Sequence, residues 1–398
     1  MTSTHQIRFG ILGCANIAIR SLMPAISRHP ACRLAAVASR SRDKAAPLAA
    51  QYACRALGYE ELIADPAIEA IYVPLPTGLH VEWVMKVLAA GKHVLCEKSL
   101  GCTEAEVSRM VAEARRRRRL LMETFQFRFH SQHAAAKEIL ASGVLGEIRC
   151  FRSAFGFPPF PDGKVNIRYQ KALGGGALLD TGAYTIKAAT FMLGEGGRET
   201  GDGRREAVAV GSGSRQWGEG GRETGDGGRE EVAVGSDSGQ CESCISCDLC
   251  AREAGHPVKN EAGKFRVKAA TLRYVPEHEV DVGGSICMEH DSGVAIQAAF
   301  GFDNFYQCNY EIWGSKGRLT AKRAFTAPPG FSPELVIETA AGAEVRPLPP
   351  DDHFANMLTR FTDLIHSGEF ESEYEEVLLQ AGLMGQVAAV GSSSRQWQ

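Results

Sequence analysis

The amino-acid sequence predicts an α/β Rossmann domain built on a parallel sheet, followed by a C-terminal α+β domain with an open, mostly antiparallel sheet. Three observations predict it. Short apolar runs alternate with helix-length segments through the first 125 residues, a turn of small residues closes the first run, and longer alternating segments take over from about residue 146.

Residues 7–12 read as the first strand and 17–28 as a helix, broken or kinked at Pro24 because proline lacks an amide donor and crowds the turn before it. A strand at 34–38 and a helix at 42–52 follow, then a short strand at 70–73 and a helix from about 79 to 90. A strand at 93–96, a helix at 103–118 opened by the hydroxyl of Thr103, and a strand at 120–124 complete the series. Strand, helix, strand at this spacing makes βαβ units and so a parallel sheet. Farther on, residues 147–154, 265–274, 284–290, 294–300, 306–313 and 317–321 alternate as half-buried strands do. Turn signals at Asp291, Ser292, Gly293 and at Ser315, Lys316, Gly317 join several of them. The expected division is a nucleotide-binding domain at 1–125 and a substrate and oligomerisation domain at 126–398.

The second domain is interrupted at about 195–262 by a low-complexity insertion. Residues 195–214 recur with few changes at 219–238, and the stretch is rich in Gly, Arg and Glu with almost no large apolar side chains. Such a segment buries too little surface to offset its ordering entropy, so it is expected to be disordered.

The 398-residue chain is 44% hydrophobic and 23% charged, with a net charge of −3, the balance of an ordinary soluble protein with no electrostatic pull toward nucleic acid or anionic membrane. No apolar run reaches the length of a membrane span. The polar residues 1–6 lead straight into a strand, arguing against a signal peptide. Cys14, Cys32, Cys54 and Cys96 sit singly in apolar contexts, as in a reduced, cytoplasmic protein.

The run GILGCANIA at 10–18 closes the first strand and opens the first helix. Gly13 permits a tight turn, Ala15 allows backbone to approach a pyrophosphate, and Ala18 lets the helix lie close to the sheet. The phosphates then meet amides at the helix start, those of Asn16 and Ile17 among them. Ala15 stands where the usual dinucleotide motif has its second glycine. At the end of the second strand, where NAD sites carry a carboxylate for the ribose hydroxyl, the chain reads ASRSR at 38–42. The hydroxyl of Ser39 and the guanidinium of Arg40 suit a 2′-phosphate, so NADP is the expected cofactor.

Three further motifs carry a resemblance. The segments YVPLPTGLH at 72–80, GKHVLCEK at 91–98 and GGGALLDTGAY at 174–184 occur in order and at the right spacing. With them the chain resembles the glucose–fructose oxidoreductase / inositol dehydrogenase (Gfo/Idh/MocA) family over nearly its whole length outside 195–262. FQF at 125–127, IRYQ at 167–170 and NYE at 309–311 make it most similar to the family's NADP-dependent nucleotide-sugar 3-ketoreductases. The resemblance implies hydride transfer between nicotinamide and a sugar-like carbonyl or alcohol, with no metal. It implies Lys98 as proton donor or acceptor, with Tyr184 near the reacting oxygen and Asp180 beside them. It places Asp180 and Arg168 near the nicotinamide and substrate, counts Glu97 among the cofactor-binding residues, and sets Ser39, Arg40 and Tyr59 at the adenine-phosphate end and Leu75, Pro76 and His80 beside ribose and pyrophosphate. Lysine and tyrosine are the donors such chemistry needs, because hydride addition leaves negative charge on the carbonyl oxygen. A homodimer or homotetramer follows from the family's use of the open sheet. One residue departs from the motif: Ser99 follows Lys98 where the family has proline, and serine there is expected to loosen the aim of the lysine.

Two alternatives remain open on the sequence. One is an NADP-dependent D-xylose or trans-dihydrodiol dehydrogenase of the same family. The other is a non-catalytic NADP-binding sensor or scaffold. Cys241, Cys244, Cys247 and Cys250 have a metal-ligand spacing, but with little apolar packing around them they read as thiols in a low-complexity insert. Five arginines at 115–119 read as a solvated helix end.

Overall fold

Six parallel strands form the first sheet, in the order β3-β2-β1-β4-β5-β6. They are β1 (Ile7–Leu12), β2 (Cys32–Ala38), β3 (Arg55–Leu57), β4 (Ala70–Val73), β5 (His93–Cys96) and β6 (Leu121–Glu123). The order reverses at β1 and β4, and the crevice at such a switch point is where α/β sheets bind nucleotides. The strands are apolar on both faces, as a sheet covered by helices on both sides requires: Phe9, Ile11, Ile71, Val94 and Leu95 are fully buried. The computed structural model describes residues 5–194 and 264–393. The repeats and the cysteine cluster lie outside the described residues.

The helices of this domain are α1 (Met23–Arg28), α2 (Arg42–Gln51), α3 (Tyr59–Ala64), α4 (His80–Ala89) and α5 (Glu104–Arg117). Pro24 does not break the first helix. The helix widens over Ala18–Leu22 into a π-type turn, with the Met23 amide bonding the Ala18 carbonyl. Widening gives the ring of Pro24 room and reroutes the bonding that proline cannot continue. As expected, the Thr103 hydroxyl accepts the Glu106 amide and opens α5. The arginine run ends α5 in ion pairs: Arg116 and Arg117 with Glu113, and Arg115 with Glu371.

A second sheet of eight strands has the order β14-β13-β12-β11-β7-β10-β9-β8. Its members are β7 (Ile148–Gly156), β8 (Phe265–Tyr274), β9 (Asp281–His290), β10 (Ala295–Gly301), β11 (Gln307–Gly314), β12 (Gly317–Lys322), β13 (Glu334–Thr339) and β14 (Gly342–Pro347). All neighbours are antiparallel except β7 and β10. One face packs on α6 (Ser131–Ala141) and α7 (Ala183–Leu193) through Phe151, Phe155, Ile296, Phe300, Tyr310 and Ile312. The other face is open, carrying Arg149, Arg152, Gln297 and Cys287.

The C-terminal helices depart from a simple division at residue 125. Helix α8 (His353–Ser367) and the first half of α9 (Glu371–Ser393) send Phe354, Met357, Leu358, Phe361 and Tyr374 into the core of the first sheet. The ring of Phe361 lies 5.4 Å from that of Phe9 on β1. Farther along α9, Leu383 and Val387 enter the second core, so one helix closes both layers. Among the described residues no helix is long and apolar enough to cross a membrane.

Candidate active site

Two elements bring the candidate catalytic groups together. Strand β5 ends at Cys96 and delivers Glu97 and Lys98. The π-type turn Leu178–Gly182 leads into α7 and delivers Asp180 and Tyr184. The turn is built by glycine and a carboxylate. Gly176 has φ +121°, and a Cβ there would stand 2.5 Å from Oδ1 of Asp281. The Leu178 amide donates to Oδ2 of that same Asp281 (2.7 Å), which caps the opening of the helix. The Lys98–Ser99 peptide bond is cis.

Lys98 Nζ is ion-paired with Asp180 and also donates to the Asp180 carbonyl at 3.3 Å. Arg168 Nε donates to the other carboxylate oxygen at 2.6 Å. Burial pushes the Asp180 carboxyl up, but the Lys98 and Arg168 cations outweigh it and hold the group far below the usual carboxylate range. Lys98 lies 5.0 Å from the ring centre of Tyr184. That ring is 6% exposed and framed by Phe125, Phe127, Phe155 and Phe325. Burial, with Glu97 nearby, pushes the Tyr184 phenol up, so it stays protonated at neutral pH. Gln126 Nε2 donates to the Tyr184 oxygen at 3.4 Å, leaving the phenolic proton free to point into the cleft. The sequence shows FQF at 125–127 but gives no sign of this bond, because the pairing is set by the tertiary contact between the β6–α6 connection and α7.

Glu97 stands beside them. Tyr72 donates to its Oε1 at 2.6 Å, and burial raises its carboxyl, partly offset by Tyr72, Thr124 and Lys98. His80, expected beside the ribose, is fully buried at the first turn of α4, and its two ring nitrogens face the carbonyls of Ser99 (2.9 Å) and Leu75 (2.7 Å). Through that ring it braces the 75–80 loop against the Lys98 turn.

The nucleotide end lies at β1 and β2. Gly13 has φ +127°, and a Cβ there would come within 3.0 Å of Leu75 and 3.6 Å of the Tyr59 hydroxyl, so the turn is a close-approach point. The first helical bond runs from Ile19 to the Ala15 carbonyl, which leaves the amides of Ala15, Asn16 and Ile17 at the open end. Ser39 is buried at the end of β2. Arg42 is taken by Glu61, whereas Arg40 is exposed and has no ion pair among the described residues. Tyr59 stacks edge-on against Trp83 at 4.9 Å and lies near Arg40. A hydroxyl and a guanidinium without an ion pair among the described residues, with no carboxylate at the end of β2 itself, fit a phosphorylated ribose. Leu75 and Pro74 border the same turn, and Pro76 precedes the short helical turn Thr77–Leu79.

A Rossmann sheet whose fifth strand ends on a half-buried lysine paired with an aspartate, beside a buried tyrosine, is the frame of an oxidoreductase. The chain belongs to the Gfo/Idh/MocA family. The model of an oxidoreductase family with an NAD-binding Rossmann fold matches residues 7–125, and that of the GFO/IDH/MocA C-terminal domain matches 133–214. A dTDP-3,4-didehydro-2,6-dideoxy-alpha-D-glucose 3-reductase of Saccharopolyspora spinosa is 33% identical over 98% of this chain and 98% of its own length. Its Actinomadura kijaniata counterpart is 34% identical over 97% and 96%. The crystal structure of KijD10, a 3-ketoreductase from Actinomadura kijaniata in complex with NADP and TDP-benzene, superposes with a TM-score of 0.77 at 34% identity, covering 97% of this chain and 98% of that one. A D-xylose 1-dehydrogenase (NADP(+)) of Haloferax volcanii is 30% identical over 91% of this chain and 90% of its own.

Proposed function

We propose that this chain is an NADPH-dependent 3-ketoreductase acting on a keto sugar carried by a nucleoside diphosphate. The observation that carries the reading is the Lys98–Asp180–Arg168 cluster set against the Tyr184 hydroxyl in a crevice whose far end offers Ser39 and Arg40 to a 2′-phosphate. The full-length similarity to enzymes of that activity supports it.

When bound, the reduced cofactor supplies hydride. Ala15, Asn16 and Ile17 would present amides to its pyrophosphate, Leu75 and Pro76 would border it, and Ser39, Arg40 and Tyr59 would hold the adenosine phosphate end. As hydride reaches the carbonyl carbon, negative charge grows on the oxygen. Tyr184 gives that oxygen a proton, Gln126 fixing the phenol as donor, and Lys98, 5.0 Å from the Tyr184 ring centre, stabilises the charge. Asp180 and Arg168 keep the ammonium aimed, and Asp180 stays ionised across the working range. The protein is expected to work in the cytoplasm as a homodimer or homotetramer. The unpaired thiols of Cys32, Cys96 and Cys150, buried as small hydrophobes, fit a reducing compartment.

The test is turnover of NADPH with a dTDP-linked 3-keto-2,6-dideoxy sugar, alongside D-xylose and a trans-dihydrodiol offered with NADP. Rapid oxidation of NADPH by the sugar nucleotide and none of NADP reduction by the others is the expected result. Turnover of xylose or the diol alone moves the chain to the dehydrogenase branch. Tight NADPH binding with no turnover leaves a nucleotide-binding protein without catalysis.

A further inference from the structure

Ser99 occupies a place where its side chain reaches the other half of the site. It is 3% exposed. Its hydroxyl donates to the Leu179 carbonyl at 2.8 Å, and its own carbonyl faces the ring of His80 at 2.9 Å. The Met384 sulfur of α9 closes the pocket at 3.9 Å. The neighbouring residue, Lys98, meets the neighbouring carbonyl, that of Asp180. Two adjacent side chains of the β5 end therefore grip two adjacent carbonyls of the wide turn that carries Asp180. A proline, having no hydroxyl, would leave the Leu179 carbonyl without this bond.

We propose that Ser99 is a positioning residue: its hydroxyl fixes the Lys98 turn to the Asp180 turn and so sets the geometry of the ion pair. Serine here tightens the aim of the lysine, against the loosening expected from the sequence alone. The inference rests on the reading of Lys98 as a group that serves the reacting oxygen. Asp180 faces Lys98 from the β5 end and Arg168 from the loop before it, with Tyr184 on its own helix and Glu97 beside Lys98. If the Ser99 tie is lost, Lys98 shields Asp180 less well, and protonation of Asp180 begins at higher pH.

The experiment is steady-state kinetics of Ser99→Ala and Ser99→Cys against pH, in the native chain and in a Lys98→Met background, with NADPH affinity and melting temperature recorded for each. Loss of one buried hydrogen bond predicts a kcat about five- to tenfold lower for Ser99→Ala, with KM values within about twofold of native. The acid limb of the kcat profile moves to higher pH, Ser99→Cys falls between, and Ser99→Ala adds nothing in the Lys98→Met background. An unchanged kcat and acid limb, or the same loss in both backgrounds, overturns the proposal. Should Ser99→Ala melt below the assay temperature, the same criteria are applied to Ser99→Cys. Native turnover by Lys98→Met alone would instead remove Lys98 from the mechanism, a separate failure.

Discussion

The proposed preference for NADPH rests chiefly on one arginine. Arg42 spends its charge on Glu61, while Arg40, two residues earlier and also exposed, has no ion pair among the described residues. Replacing Arg40 with alanine removes a charge-assisted bond to a 2′-phosphate, partly screened by solvent, so NADPH affinity is predicted to fall roughly tenfold. NADH affinity should not change, because no 2′-phosphate is there to lose. Fluorescence titration of both nucleotides checks this, and an equal loss for both would mean that Arg40 acts on the pyrophosphate or the fold. Serine at 39 contributes less, being buried and able to offer only one neutral bond.

At the scale of elements, the C-terminal helices tie the two sheets together. Phe361 is fully buried against Phe9, so Phe361→Ala is predicted to cost about 3–5 kcal/mol, as truncation of a buried aromatic does. Urea unfolding followed by far-UV circular dichroism measures it. A cost under about 1 kcal/mol would show that α8 is an appendage rather than part of the Rossmann core. The sequence displays this helix poorly as a partner of β1, because amphipathic spacing shows that one face is apolar without saying what it meets. The same limit explains the site. The βαβ rhythm, the Gly13 turn and the motifs around Lys98 and Asp180 are local patterns and were legible. His80 was legible as a loop residue near the nucleotide, but not the contacts of its ring with the carbonyls of Leu75 and Ser99, five and nineteen residues away. Gln126, Asp281 and the Ser99 hydroxyl act across 58, 103 and 80 residues of sequence, which no periodicity reveals. Short strands β3, β13 and β14 escaped because they are brief or exposed, with weak alternation.

For the whole molecule, buried titratable groups set opposing dependences of stability on pH. Burial lowers His93 to about 4, His133 to about 3 and His353 to about 4, from an ordinary 6.5. Each must be neutral in the fold while the unfolded chain takes up its proton, so their contribution is intact above pH 6.5 and drains away as the pH falls toward 3–4. Glu123 works in the other direction. Burial, opposed by Lys187, the Leu100 amide and Arg128, raises it to about 7 from 4.5. Its neutral form is the one the fold prefers, so its contribution is whole below pH 4.5 and is lost as the pH rises through 7. Glu123→Gln separates the two effects. The amide oxygen can still accept the Leu100 amide, a bond of 2.7 Å in the native chain, while the ionisation is gone. At pH 8 the variant should be more stable by on the order of 3 kcal/mol, seen as a melting temperature several degrees higher. At pH 4.5 the two proteins should melt together, both weakened by their histidines. If the native chain proves the more stable at pH 8, the carboxylate is ionised and held by Lys187 and Arg128, and the buried charges behind the active site form a paired network rather than a neutral acid beside two cations.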